Sequence, residues 1–192
     1  MVIGLTGGIG CGKTAAAACF ARRGFQVVDA DALAREVLGS PACVAQLLAR
    51  WGRACLQADG TPDRAWLAAK VFGDPAERAF LEAVTHPEVA RRRLAAVADR
   101  SRDHVVEIPL LFEKNLASEF DWVVCVNSSE GVRLQRLEKR GLSSEQARER
   151  MKSQLPMFEK VKGSHRVIFN DGDVAFLDAQ VEALVRGLRT AS

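Results

Sequence analysis

A chain of 192 residues, 48% hydrophobic and 27% charged, has the size and balance of one soluble globular domain with room for an inserted subdomain. Its net charge of +3 is too small to argue for a nucleic-acid or membrane surface, and 6% aromatics with no tyrosine speak against a base-stacking RNA platform. Five cysteines, odd in number and without C-x-x-C spacing, read as small core residues rather than as a zinc site or disulfide framework.

The first predicted element is the apolar run Val2–Thr6. Met1 leads straight into it with no basic n-region and no cleavage site, which predicts a cytoplasmic protein without a membrane span. Residues 7–14 then read G-G-I-G-C-G-K-T, the Walker A pattern of Gly7, four residues, Gly12, Lys13 and Thr14. Gly8, Ile9, Gly10, Cys11 and Gly12 wrap backbone N–H groups around phosphate, helped by the positive end of the following helix. Lys13 supplies a mobile charge for the β and γ phosphates, and the Thr14 hydroxyl a ligand for Mg²⁺. A dinucleotide loop fits poorly, because its third glycine would fall on Lys13.

The second run, Gln26–Asp29, hands over to a helical stretch through V-V-D-A-D-A-L-A. Asp29 and Asp31 are candidate helix caps, yet neither has Glu or Gln three residues later. If the strands are parallel, both acids emerge on the edge that carries the phosphate loop. Phosphoryl transfer to an alcohol needs a carboxylate to orient the hydroxyl and take its proton; Asp31 is the preferred candidate. Asp29, nearer the strand end, is a candidate to hold Mg²⁺ through water.

Residues 30–103 read as wholly helical, far more than one crossover needs, and so as an insert. Helix starts are predicted at Ser40-Pro41, Thr61-Pro62 and His86-Pro87, and stops at Gly60 and Gly73. The triplet Arg91–Arg93 reads as a solvated face or as contacts for an acceptor diphosphate. The third run, His104–Ile108, has no Asp at its end, which predicts a loop without the usual Walker B ligand and fits a kinase better than a hydrolytic motor. After the fourth run, Trp122–Asn127, the residues Arg133, Arg136 and Arg140 share one predicted helix face, either solvated or aimed at phosphate. The fifth run, Arg166–Phe169, precedes Asn170-Asp171-Gly172, a good turn by propensity alone. Strands alternating with helices predict an α/β fold with a five-stranded parallel sheet.

The sequence resembles the dephospho-CoA kinase family. The segments that carry the likeness are G-L-T-G-G-I-G-C-G-K-T from Gly4, V-D-A-D-A-L-A-R from Val28, H-P-E from His86, I-P-L-L-F-E from Ile108, R-L-Q-R-L from Arg133, R-M-K-S-Q from Arg150 and V-I-F-N-D-G from Val167. The resemblance implies transfer of the γ-phosphate of ATP to the ribose 3′-hydroxyl of dephospho-CoA. It implies a three-layer P-loop kinase core at about 1–30, 103–127 and 160–192, a helical acceptor insert at about 31–102 and a helical lid at about 128–159. Asp31 becomes the catalytic base, with Lys13 and the lid residue Arg136 at the transferring phosphate. Arg140, Asn170 and Gly172 fall on the ATP side. Thr6, Arg35 and His86 fall on the acceptor side with Pro109, Leu110, Leu111 and Glu113, an apolar shelf and a sugar contact. Two departures stand out: Cys11 replaces the commoner Ser, which predicts a loop that binds through backbone N–H and is sensitive to oxidation, and Val126 stands where many members have an acid.

The implied partners are ATP and dephospho-CoA, with Mg²⁺ as cofactor, no nucleic acid, no membrane, and a monomer or weak homo-oligomer. A shikimate-type kinase also carries Asp-x-Asp after its second strand, but the long insert and the missing G-G-G loop argue against it. A non-catalytic nucleotide-binding regulator has no evident need to keep Lys13, Thr14, Asp31 and Arg136 together.

Overall fold

A computed structural model describes residues 1–190. Two compact units emerge: Met1–Asp29 with the chain from Asp99 onward, and Ala30–Ala98.

The first unit is built on β1 (Val2–Thr6), β2 (Gln26–Asp29), β3 (His104–Glu107), β4 (Trp122–Asn127) and β5 (Arg166–Phe169), all parallel in the order β2-β3-β1-β4-β5. The register lines up the strand ends that matter: Leu5 is the partner of Glu107, and Glu107 of Asp29. All five strands therefore end on one edge. Alternation along β1 separates the two faces. Ile3 and Leu5 join a core with Ala16 and Phe20 of α1 (Lys13–Ala21) and with Leu177, Val181 and Leu188 of α9 (Val174–Thr190). Gly4 faces the other way, where a Cβ would come within 2.8 Å of Leu111 and Phe120; glycine lets those side chains close down on the sheet. Arg23 grips Asp178 with two bonds of 2.8 and 2.9 Å and Arg22 adds one of 2.7 Å, joining the end of α1 to α9 and holding the Asp178 carboxyl far below the usual carboxylate range.

The second unit holds α2 (Ala30–Leu38), α3 (Pro41–Trp51), α4 (Arg64–Phe72) and α5 (Pro75–Ala96). Leu47, Cys43, Cys55 and Leu67 form its core, roofed by Trp51, Trp66 and Phe80 in edge-on contacts. Ser40 caps α3 with Pro41 at the first helical position, and Gly73 ends α4.

The remaining predicted punctuation is corrected. Pro62 pairs with Leu56 in an isolated bridge, and α4 starts two residues later under an Asp63 cap that accepts from Ala65 and Trp66. Gly60 sits in the tight turn of that bridge at φ +83°, not at a helix end. His86-Pro87 opens no helix: α5 begins at Pro75 under an Asp74 cap and runs through Pro87. Pro87 lacks the N–H that its turn would use, and the Thr85 hydroxyl bonds the Leu81 carbonyl in the same stretch at 2.8 Å.

Back in the first unit, β4 is followed by α6 (Glu130–Glu138), α7 (Ser144–Lys152) and α8 (Met157–Gly163). A capping box fixes the start of α7, with Ser143 and Gln146 satisfying each other's N–H.

Candidate active site

The phosphate loop spans residues 7–12 between β1 and α1. Its glycines are required by sterics as well as by chemistry. Gly7, Gly10 and Gly12 have φ of +143°, +82° and +83°. A Cβ on Gly7 would lie 2.3 Å from the Val126 carbonyl oxygen, and one on Gly12 2.2 Å from Asn170 Nδ2. Val126, the non-acidic departure, is fully buried core beneath the loop. The Cys11 N–H, expected to face phosphate, closes a turn onto the Gly8 carbonyl at 3.2 Å. The Cys11 side chain is fully buried, which argues against the expected sensitivity to oxidation. Lys13 Nζ donates to the Gly7 carbonyl at 3.0 Å and the Gly8 carbonyl at 3.3 Å.

Two arginines of α6 hold the loop from outside. Arg133, buried, donates from Nε to the Ile9 carbonyl at 3.0 Å, and its guanidinium occupies the space a Cβ on Gly8 would need. Arg136 Nη1 reaches the Gly10 and Cys11 carbonyls at 3.3 and 3.4 Å and Ser128 Oγ at 3.2 Å, while Nη2 reaches the Asn170 carbonyl at 2.8 Å. Asn170, buried, adds a bond from Nδ2 to the Cys11 carbonyl at 2.8 Å. Arg136, expected at the transferring phosphate, thus lies against the loop with its guanidinium on the carbonyls of Gly10, Cys11 and Asn170. Arg140 leaves the predicted stripe: α6 ends at Glu138, and Arg140 lies beyond it, exposed.

At the strand ends, the Thr14 hydroxyl donates to Glu107 Oε2 at 3.2 Å. Glu107 is buried at the end of β3, so the loop has a carboxylate beside it in the place where the sequence reading found no Asp. No cluster of three His, Cys, Asp or Glu is present among the described residues. A magnesium site needs none, since Mg²⁺ keeps several waters and takes one or two protein oxygens.

A family model described as dephospho-CoA kinase matches residues 1–175. The chain belongs to the dephospho-CoA kinase family. It is 46% identical to a dephospho-CoA kinase of Syntrophotalea carbinolica, over 98% of this chain and 92% of that one. Among solved structures, a protein of Thermus thermophilus called TT1252 superposes with a TM-score of 0.87 at 34% identity, over 98% of this chain and 97% of that one. A dephospho-CoA kinase from Campylobacter jejuni, at 24% identity and TM-score 0.74 over 99% and 98% of the two chains, shares the fold. Family membership disfavours the shikimate-type reading.

Other residues implied by the family resemblance fall in several places. Thr6, buried, donates to the Pro109 carbonyl at 3.4 Å. Leu111 is fully buried core, so it forms no shelf, while Leu110 is exposed. Glu113, expected at the sugar, is engaged by Lys160 at 2.7 and 3.0 Å and by the Leu155 N–H at 2.9 Å. Burial works to raise the Glu113 carboxyl, but the Lys160 ammonium and the Leu155 amide outweigh it and hold it below the ordinary range. Gly172 is close-packed, with a Cβ there falling 2.9 Å from Phe176. Asp29 is exposed at the end of β2. In the helical unit, Asp31 sits exposed in the first turn of α2, Arg35 exposed one turn on, and His86 exposed on α5. Arg93 is buried, against the reading of 91–93 as a solvated face.

Sequence reasoning missed Glu107, Gln154 and Lys160, and gave Arg133 no role at the loop. The signal for Gln154 lay in R-M-K-S-Q; a buried lysine such as Lys160 has no local pattern.

Proposed function

We propose that the protein transfers the γ-phosphoryl group of ATP to the ribose 3′-hydroxyl of dephospho-CoA, giving CoA and ADP. The observation that carries the reading is the intact phosphate loop, clasped by Arg133 and Arg136, in a chain whose family match runs over residues 1–175. The alcohol oxygen attacks the γ-phosphorus, the bond to the β,γ-bridging oxygen breaks, and the alcohol proton passes to a carboxylate. We assign that carboxylate to Asp31, two residues beyond the strand end that pairs with Glu107. Lys13, released from the Gly7 and Gly8 carbonyls, meets the γ-phosphate oxygens as charge shifts onto the leaving diphosphate. Thr14 and Glu107 would hold Mg²⁺, with Asp29 assigned to the ion's water; when bound, the ion would neutralise charge on the phosphate oxygens. Arg35 and His86 are assigned to the acceptor, and residues 128–159 to a lid that excludes water from the γ-phosphate.

No helix among the described residues is long and apolar enough to cross a membrane. We assign the enzyme to the cytoplasm, working as a monomer or weak homo-oligomer. The test is purified protein with ATP, Mg²⁺ and a panel of dephospho-CoA, shikimate and nucleoside monophosphates, with product masses read directly. Phosphorylation of dephospho-CoA alone is expected. Transfer to shikimate and not to dephospho-CoA would overturn the reading.

A further inference from the structure

The segment joining α7 to α8 is fastened on two sides. Gln154 Oε1 accepts the Ile9 N–H at 2.8 Å, and Met157 Sδ lies 3.1 Å from the Gly8 nitrogen and 3.9 Å from Cys11 Sγ. Two amides of the phosphate loop are thereby turned onto side chains about 145 residues further along the chain. On the other side, the Leu155 N–H and the fully buried Lys160 ammonium both bond Glu113, and Lys160 also bonds the Pro109 carbonyl at 2.8 Å. The amides of Gly10, Gly12 and Thr14 make no hydrogen bond to protein among the described residues.

The loop amides thus divide into an outer pair, Gly8 and Ile9, held by the α7–α8 segment, and an inner set left for phosphate. An N–H facing the carboxamide fixes which of its atoms is the oxygen. Gln154 is suited to this place chemically: it offers a strong, neutral acceptor, whereas a carboxylate beside a phosphate site would repel the ligand and a thioether alone accepts weakly. Arg133 and Met157 together fill the space on the side of Gly8 where a Cβ would stand, at 2.6 and 2.8 Å from it, and leave the outer strand of the loop little room to turn that way.

We propose that Gln154 is a positioning residue for phosphoryl transfer, holding the Ile9 amide outward so that the loop keeps the shape in which Gly10, Gly12 and Thr14 present their amides to the nucleotide. The proposal rests on the kinase reading above, but its test separates the two. Amide hydrogen exchange of residues 7–12 and ATP affinity are measured on the whole protein carrying Gln154→Leu and, separately, Gln154→Glu, alongside steady-state kinetics with dephospho-CoA. For Gln154→Leu, loss of the acceptor is expected to speed loop exchange about 5- to 10-fold and to lower kcat/KM for ATP by a similar factor. The thermal midpoint and the KM for dephospho-CoA should change little. Gln154→Glu keeps an acceptor oxygen, so loop exchange stays at the wild-type rate while the KM for ATP rises through the added charge. Wild-type loop exchange in Gln154→Leu, or accelerated exchange in Gln154→Glu, overturns the proposal, and the Glu variant decides alone if the Leu variant does not fold. A wild-type protein that leaves dephospho-CoA unphosphorylated overturns the functional reading, while exchange and ATP affinity still judge Gln154.

Discussion

Thr14 and Glu107 meet at the mouth of the phosphate loop, hydroxyl to carboxylate at 3.2 Å, although 93 residues separate them in the chain. The register of the sheet brings this about. Glu107 ends β3 level with Leu5 of β1 and Asp29 of β2, so the hydroxyl at the start of α1 and the carboxylate of β3 share one edge. Both are hard oxygen donors of the kind Mg²⁺ takes. Changing Glu107→Gln keeps an acceptor for Thr14 and removes one charge. The expected result is a folded protein that needs about 10- to 100-fold more free Mg²⁺ for half-maximal activity. A magnesium titration of both proteins checks this, and superimposable curves would remove Glu107 from the metal site.

The Asp31→Asn variant keeps the shape of the first turn of α2 while losing the proton acceptor. With Asp31 as the base, kcat falls by about 10²-fold or more and ATP affinity stays near the wild-type value. Single-turnover kinetics with dephospho-CoA, paired with nucleotide titration, measures both. Near-full turnover would show that another group takes the proton.

The division between what sequence made legible and what it did not follows the range of the interactions. The five strands were readable because each is a short run rich in Val and Ile, and the loop because its glycines and Lys13-Thr14 are contiguous. Glu107 was read as an absent Asp: the strand reading extended one residue past it to Ile108, and the carboxylate there is one methylene longer than the pattern expects. Helix punctuation misled at Pro62 and Pro87, where tertiary pairing and a continuing helix overrode local preference. The Lys160–Glu113 and Gln154–Ile9 contacts span 47 and 145 residues, and no local periodicity encodes either one.

Arg136 offers a test of how much of the loop's shape comes from its clasp. Its fork satisfies the carbonyls of Gly10, Cys11 and Asn170 together, which one lysine ammonium cannot do. Arg136→Met should cost roughly 1–3 kcal/mol in urea unfolding, because it removes the side-chain donor to the Gly10 carbonyl and leaves the Cys11 and Asn170 carbonyls to Asn170 Nδ2 and Ser128 Oγ alone. It should also raise the KM for ATP by about tenfold or more, with Arg136→Lys recovering only part of the loss. Unchanged unfolding with lost activity would instead favour direct contact with phosphate.

All five cysteines are buried, and burial pushes the Cys125 thiol up to about 12 and raises those of Cys19, Cys43 and Cys55. At pH 8 the thiolate fraction of Cys125 is on the order of 10⁻⁴, and thiolate is the reactive form. The native protein should therefore resist iodoacetamide at all five sites, including Cys11, and become alkylated only in denaturant. Modification of Cys11 before unfolding, read by peptide mass, would restore the oxidation-sensitive view of the loop.

The Lys160–Glu113 pair sets the expected response to acid. Lys160 has no exposed side chain and Glu113 keeps about a fifth of its own in water. Removing the carboxylate charge in Glu113→Gln leaves the ammonium with neutral acceptors alone, at a cost of roughly 2–3 kcal/mol, below that of a fully buried pair because Glu113 is partly hydrated. The folded carboxyl lies below its ordinary value of 4.5, since the ammonium and the Leu155 amide favour the charged form more than burial opposes it. A depressed folded value means that unfolding takes up a proton in acid. The pair's contribution is then fully present above about pH 5 and is lost as pH falls through the folded value. Thermal midpoints of wild type and Glu113→Gln should differ by a constant gap above about pH 5, where the unfolded carboxyl is already ionised, and converge as pH falls through the folded value. A gap that persists in acid would show that the charge on Glu113 contributes little and that the contact acts through packing.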